Sequence, residues 1–541
     1  MSDNHYPVSD GVGRLSVLTQ DALDDSSTGS NIETNFGFRK SRNLAVTFED
    51  AHNESGTGVY QLKLLVVCGL VNMSCAISNT TVSFVLPSAK DFNLNSTTIG
   101  ILNGAPFLGM VLGAYFWGMC GDIKGRRFVI LWSMGLDTLF SVLSCLTQHV
   151  VLFFITRLGN GFAIIGAICL IYVYFGEFLT PDKRDAYLLF LEIFWVAGMI
   201  VGPGVAMVVI PSNIVLLSHS YFTFDAWRLF LLLTSIPSLI SFILIYQYPE
   251  SPRYLMLKGH MVQSREILEQ IYFTNNKKTT ELYSVESFTQ SFSAIGFNTT
   301  SIGNSFSKNL KVRLIALKNK HKILFFEYSR NITVTCIIEF CLMASYITVL
   351  IWIPELFSRY YNYKLHNSND TNICTASECL LKNNYKPKDE VVSSDAYFAA
   401  LIVATSTVPF VILTGILIKY LNKKILLCAS CGVPIIIALL ITLTKNNFQA
   451  EIMCCIFEGF TTLMEPIIFC TMVELFPSNV RGVAFSMTVM IGRLGAVFGI
   501  IVFGTLIDEH CFMVFYILAI LLLIAFLAMA FLPKLKVGGS H

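Results

Sequence analysis

Twelve predominantly apolar stretches run through the chain, each long enough to cross the roughly 30 Å hydrocarbon core of a bilayer as a helix. Six fall near residues 61–87, 98–120, 128–147, 151–176, 186–210 and 226–248. After a polar interval, six more fall near 332–357, 396–419, 424–444, 449–473, 483–506 and 511–532. The pattern predicts an all-α polytopic membrane protein, 12 transmembrane helices in two six-helix halves. Residues 1–58 are rich in Ser, Asp, Asn, Thr and Gly, with no long apolar run and no signal-peptide core, and read as a disordered tail. The expected divisions are that tail, a first half at 59–248, a central linker at 249–330, a second half at 331–533 and a tail at 534–541.

Charge placement sets the expected orientation. Lys124, Arg126, Arg127, Lys183, Arg184, Lys419, Lys423, Lys424 and Arg481 lie in the short connections on one side, which the positive-inside rule makes cytoplasmic together with both tails and the linker. The loop 358–395 then faces the other side, either outside the cell or inside a vesicle. Of the sequons, Asn95 and Asn369 fall there and are the glycosylation candidates. Cys374 and Cys379 share that loop, where a disulfide between them and two free thiols are both open. With 54% hydrophobic and 14% charged residues, lipid is the expected solvent; 38 Lys+Arg against 36 Asp+Glu leave no polyanion-binding face, so nucleic acid is excluded. No metal-ligand spacing, cofactor loop or nucleophile–base arrangement stands out, which points away from an enzyme and from any metal or cofactor.

An internal repeat gives the strongest architectural signal. Gly118, Asp122, Gly125, Arg126 and Arg127 close the second span, and a degenerate copy from Gly415 through Lys419 to Lys424 closes the eighth, 297 residues on. Glu177 to Arg184 close the fourth span, and Glu474 to Arg481 close the tenth at the same offset of 297. A duplicated six-span unit is how parallel-repeat transporters are built, with the solute held between the halves near the midplane.

The Gly118–Arg127 pattern resembles the signature of the major facilitator superfamily, and Arg157, Asn160 and Gly161 at the start of the fourth span resemble a second motif of it. Within it the chain looks like the synaptic vesicle glycoprotein 2 branch, near the organic ion transporters. Phe48–Ala51, Phe84–Ala89, Phe194 with Trp195, Ala226–Arg228, Pro249–Arg253 and Val473–Ser478 carry the likeness. The resemblance implies the major facilitator fold and transport by alternating access. Two departures matter: Cys75 and Ser78 stand where that branch has an acidic pair, and Glu465 where it has a Trp. The loop after the seventh span is also far shorter than that branch's luminal domain.

Buried charge marks the candidate site, because an ionised group at the bilayer centre costs at least about 2.5 kcal/mol and is retained for use. Glu339, Glu465 and Arg493 share a depth of roughly 12–15 Å from the cytoplasmic boundary. Glu458 and Glu465, seven apart, fall on one face of the tenth helix. Glu339 or Glu465 is the expected cation or proton site, tuned by Arg493. Trp195, Tyr346 and Trp352 are the expected cavity walls. Asp137, Arg157 and Glu192 rank lower, the first and last without an identifiable partner. Asp122, Arg126, Arg127, Glu177, Arg184, Glu474 and Arg481 are expected as gate charges that latch the halves. The leading expectation is a monomeric secondary transporter of a small organic solute or ion, with proton or cation coupling; the alternative is a non-transporting relative acting in vesicle trafficking or binding.

Overall fold

The computed structural model describes residues 45–92, 94–212, 214–215, 217–219, 222–276, 287–288, 318–366, 371–382 and 394–533. The expected glycosylation site Asn369, much of the central linker and both chain ends lie outside these residues. The first half comprises α2 (Val59–Val85), α3 (Ser96–Lys124), α4 (Arg126–Leu146), α5 (Val150–Gly176), α6 (Pro181–Val209) and α7 (Ala226–Tyr246). The second comprises α11 (Ser329–His366), α13 (Ser394–Tyr420), α14 (Lys423–Ile441), the broken pair α15 (Asn447–Thr462) and α16 (Met464–Leu475), and α17 (Ser478–Ala530). At about 1.5 Å per residue, the 53 residues of α17 run to roughly 80 Å, too long for one crossing, and the helix breaks at His510 (φ −139°, ψ 48°). Counting α17 twice and α15 with α16 once gives the twelve expected crossings among the described residues.

Within each half the helices pack on one another, and the halves meet through α3 against α17, α6 against α13 and α2 against α11. One end of the bundle, the linker face, carries the α3–α4 and α5–α6 turns with α1 (Phe48–Ser55), α8 (Pro252–Leu257), α9 (Met261–Asn275) and α10 (318–327). The opposite end carries α12 (Ile373–Lys382) and the hairpin of β2 (Leu217–His219) with β3 (Phe222–Phe224). Two further short strands, β1 (Ala45–Val46) and β4 (Ser287–Phe288), pair in parallel.

Two expectations fail here. Residues 48–55, read as disordered tail, form α1. An eight-residue helix is marginal alone, and this one is held by docking: Ala51, His52 and Ser55 are buried. Asn275 at the end of α9 accepts from the Tyr60 amide (3.0 Å) and donates to the Gly56 carbonyl (3.2 Å) and to Gln61 Oε1 (3.0 Å). Burial at this clasp pushes the His52 imidazole below its ordinary value. The second failure is the disulfide: Cys374 pairs not with Cys379 but with Cys511, at a Cα separation of 5.4 Å and 137 residues along the chain. Cys374 and Cys379 are five positions apart on one helix, whereas the break at His510 brings Cys511 beneath α12.

Arg228 at the start of α7 is fully buried and donates to Asp91 (2.6 Å) and to the Thr147 carbonyl (3.0 Å), with its guanidinium 4.2 Å over the Trp227 ring. Removing Asp91 takes the short ion pair from a buried cation, a cost of about 3 kcal/mol. Asp91→Ala is therefore expected to lower the unfolding temperature in detergent by several degrees, whereas Asp182→Ala on the exposed start of α6 leaves it unchanged; differential scanning fluorimetry reads both.

Candidate functional site

The repeat-related motifs fold into repeat-related contacts. Arg126 pairs with Glu177 (3.5 Å) at the linker ends of α4 and α5, and Lys423 pairs with Glu474 at the same ends of α14 and α16. Each member of the second pair lies 297 positions after its counterpart in the first. Arg184 Nη2 donates to the Leu179 carbonyl (3.5 Å), and Arg481 Nε to the Phe476 carbonyl (3.2 Å), again at that offset. Arg127 and Lys424 each cap the last carbonyls of their half's final helix, at Ile245 and Tyr246 and at Ala530 and Leu532. Cations at helix C-termini are favoured by the macrodipole.

Gly125 makes the α3–α4 turn. Its φ of 111° belongs to glycine, and an added Cβ would meet Glu250 Oε2 at 2.2 Å. Glu250 Oε1 accepts from the amides of Arg126 and Arg127 (3.0 Å each), satisfying the orphan donors of α4. Burial pushes the Glu177 carboxyl above its ordinary value, while Arg126 pulls it back. Asp122 is exposed and only 3.9 Å from Arg126. The expectation that these charges latch the two halves together is corrected: Arg126–Glu177 and Lys423–Glu474 each lie inside one half. They brace each half as a unit at its linker face.

Near mid-bundle, carboxylates from both halves converge. Arg493 of α17 reaches Glu465 of α16 at 3.4 Å, and Glu339 of α11 lies within electrostatic range of both. Glu339 is 1% exposed, and its Oε2 meets no hydrogen-bond donor among the described residues. From the first half, Glu192 of α6 takes the Tyr172 hydroxyl as donor, and Asn72 Nδ2 donates to that same Tyr172 oxygen (2.9 Å). Glu465 acts electrostatically on Glu192 and Tyr172 across the junction, and on Tyr346 within its own half. Tyr346 is tied to Thr462 and lies in the field of Glu458 as well. Trp195 is partly buried against Ala76, Met199 and Ala404, where the halves touch.

Several expected residues are placed differently. Glu458 and Glu465 lie on either side of Leu463, the junction of α15 and α16, whose backbone stays helical (φ −67°, ψ −26°); Glu458 is fully buried, with neither oxygen hydrogen-bonded among the described residues. Trp352 is wholly buried, stacks on Phe503 at 4.9 Å and donates to the Ile500 carbonyl (3.2 Å). Asp137 finds partners in Ser78 (2.7 Å), Ser238 and Asn160, and Arg157 in Ser144 (3.0 Å), so this polar knot holds α2, α4, α5 and α7 together. Asn95 is exposed at the start of α3. Tyr172 and Asn72 are the site residues that sequence reasoning missed; a neutral polar side chain in a span carries no charge signal to single it out.

The comparisons agree with this architecture. The Sugar (and other) transporter family model matches residues 66–319, and the Major Facilitator Superfamily model matches residues 335–540. Synaptic vesicle glycoprotein 2B of Mus musculus is 30% identical over 338 residues, 60% of this chain and 49% of the relative. Synaptic vesicle glycoprotein 2A of Rattus norvegicus is 35% identical over 240 residues, 44% of this chain and 32% of the relative. The chain thus spans half or less of the length of these curated relatives. Among solved structures, the partially occluded inward-open conformation of the xylose transporter XylE from E. coli superposes with a TM-score of 0.62 at 17% identity, over 88% of this chain and 98% of that one. A crystal structure of a D-xylose-proton symporter gives 0.60 at 17% identity, over 88% and 99%; at such identity the likeness shows the fold. With the two family models meeting across the linker, the chain belongs to the major facilitator superfamily, and within it is similar in sequence to synaptic vesicle glycoproteins 2A and 2B.

Proposed function

We propose that the protein is a secondary transporter that carries a small organic solute by alternating access, with the linker face cytoplasmic and with coupling to a proton or another cation at the Glu339–Glu465–Arg493 cluster. The observation that carries this reading is the charge count near mid-bundle among the described residues: Glu192, Glu339 and Glu465, with Glu458 close to Tyr346, against the one cation Arg493. One guanidinium neutralises one carboxylate. In a low-dielectric interior, each of the others must hold a proton or face an incoming cation. A charge that is met only when a solute or ion arrives is a cost without purpose in a static scaffold and a lever in a transporter.

The closure of the bundle supports the same reading. Opposite the linker face the halves are joined by a hydrogen bond from the Tyr397 hydroxyl to the Phe84 carbonyl (3.0 Å). Toward the linker face Tyr172, Glu192, Trp195 and Glu465 keep partial exposure. This pattern, closed on one face with partial exposure of the site residues, is what one state of an alternating-access cycle would have.

Uptake into proteoliposomes of organic cations, anions and sugars, with and without an imposed pH gradient, tests the reading. Saturable uptake that the gradient alters in wild type is expected, and Glu465→Gln is expected to lower gradient-driven uptake about tenfold, equivalent to roughly 1.4 kcal/mol. Uptake no faster than in empty liposomes for every solute, under either gradient, would count against transport and in favour of the trafficking or binding role. The bracing pairs make a separate prediction. Glu177→Gln and Glu474→Gln are each expected to slow transport about fivefold, the equivalent of about 1 kcal/mol, with the KM for solute unchanged, since neither touches the cavity; a raised KM at constant rate would show that these pairs shape the site instead.

A further inference from the structure

The end of the bundle opposite the linker face holds a charge network that the proposed transport cycle does not yet use. Arg359, near the end of α11, donates from Nε to Glu355 Oε1 (2.8 Å), from Nη1 to Asp508 Oδ1 and to Ser377 Oγ (2.9 Å each), and from Nη2 to Ser96 Oγ (2.7 Å). Ser96 in turn donates to Asp508 Oδ1 (2.6 Å). Glu355, Asp508, Ser377 and Arg359 all belong to the second half; Ser96, at the start of α3, is the member from the first. The bonds that cross between the halves therefore end on a neutral hydroxyl. When the halves part here, Arg359 keeps both of its carboxylates, and no ion is left bare. Such a contact can be made and broken repeatedly, whereas an ion pair split between halves would expose two unmet charges at each opening.

Ser377 is the link to the loop. It lies on α12 one turn after Cys374, and Cys374 is bonded to Cys511, three positions after Asp508. The segments that carry Ser377 and Asp508 are thus tethered by that disulfide, and both residues hold the same guanidinium nitrogen. Beneath them the backbones of α3 and α17 are in close contact: a Cβ added at Gly504 would meet the Ser96 carbonyl oxygen at 2.7 Å and the Gly100 Cα at 3.1 Å.

We infer that α12 is a disulfide-anchored strap which, through Ser377, orients Arg359 toward Ser96 and so biases the protein toward the state closed on the α12 face. Arg359 acts as a positioning residue for the cycle and touches no solute. Losing the strap frees Arg359 to turn toward Glu355 and solvent, weakens its bond to Ser96, and raises the share of molecules open on this side. The inference rests on the alternating-access reading, because a strap can only bias an equilibrium that exists.

Hydrogen–deuterium exchange on the full chain in nanodiscs tests it without any solute. The variants are Ser96→Ala and Cys511→Ser, with wild type before and after reduction, and Gly504→Leu as a steric wedge at the same contact. Reduction, Cys511→Ser and Ser96→Ala are each expected to speed exchange at residues 96–103 and 500–508 by about tenfold, the weight of one charge-assisted hydrogen bond. Exchange at the linker-face end of α3, residues 115–124, should slow at the same time. That reciprocity separates a shifted population from simple loosening, which would speed one face and leave the other alone. If Gly504→Leu gives the reciprocal pattern while reduction and Cys511→Ser give none, or speed the α12 face alone, the strap is overturned and alternation stands. If Gly504→Leu also leaves both faces unchanged, alternation fails and the strap with it.

Discussion

An ionised side chain surrounded by hydrocarbon has nowhere to find water, so it must find its counter-charge or its hydrogen-bond donors inside the protein. That constraint orders this structure. Where the charge is structural it is met at once and within one half: Arg228 on Asp91, Asp137 among Ser78, Ser238 and Asn160, Arg126 on Glu177 and Lys423 on Glu474. Each half is thereby a self-sufficient body that can move without exposing an unmet ion. Where the halves face each other the rule is relaxed. Around Arg493, Glu465 and Glu339 come together, and among the described residues Glu339 Oε2 and both oxygens of Glu458 have no hydrogen-bond donor; in the proposed transport cycle a proton or the carried species meets them.

The two ends of the bundle apply the same rule differently. At the linker face, charge pairs brace the halves internally and leave them free of each other. At the α12 face, the contacts between halves are made by a tyrosine hydroxyl, a serine hydroxyl and close-packed glycines, so that closing and opening move no net charge across a boundary.

Much of this was legible in the sequence because hydropathy in a membrane protein is nearly a direct record of topology. The twelve spans needed only length and apolarity, and the offset of 297 between motifs reappears as the matched pairs Arg126–Glu177 and Lys423–Glu474. The shared depth of Glu339, Glu465 and Arg493 does bring them together. What was not legible depended on contacts between distant segments. Cys511 reads as one more apolar-segment cysteine until the break at His510 brings it under α12. Arg359 sits in a stretch that reads as loop, and α1 is too short to announce itself without α9. Trp352 was legible as a span aromatic, but its stack on Phe503 depends on packing against α17 that the sequence does not record.

The central claim is that two internally braced halves exchange between states around the carboxylate cluster. The most direct measurement is the spin–spin distance between labels at Gly118 on α3 and Gly482 on α17, positions at the linker face of opposite halves where an added side chain meets nothing within 4 Å. Labels attached by non-cysteine chemistry avoid the native thiols. The account predicts two distance populations whose weights shift on changing pH or adding a transported solute, while a pair placed within one half gives a single unchanged distance. One narrow population between the halves under every condition would contradict it.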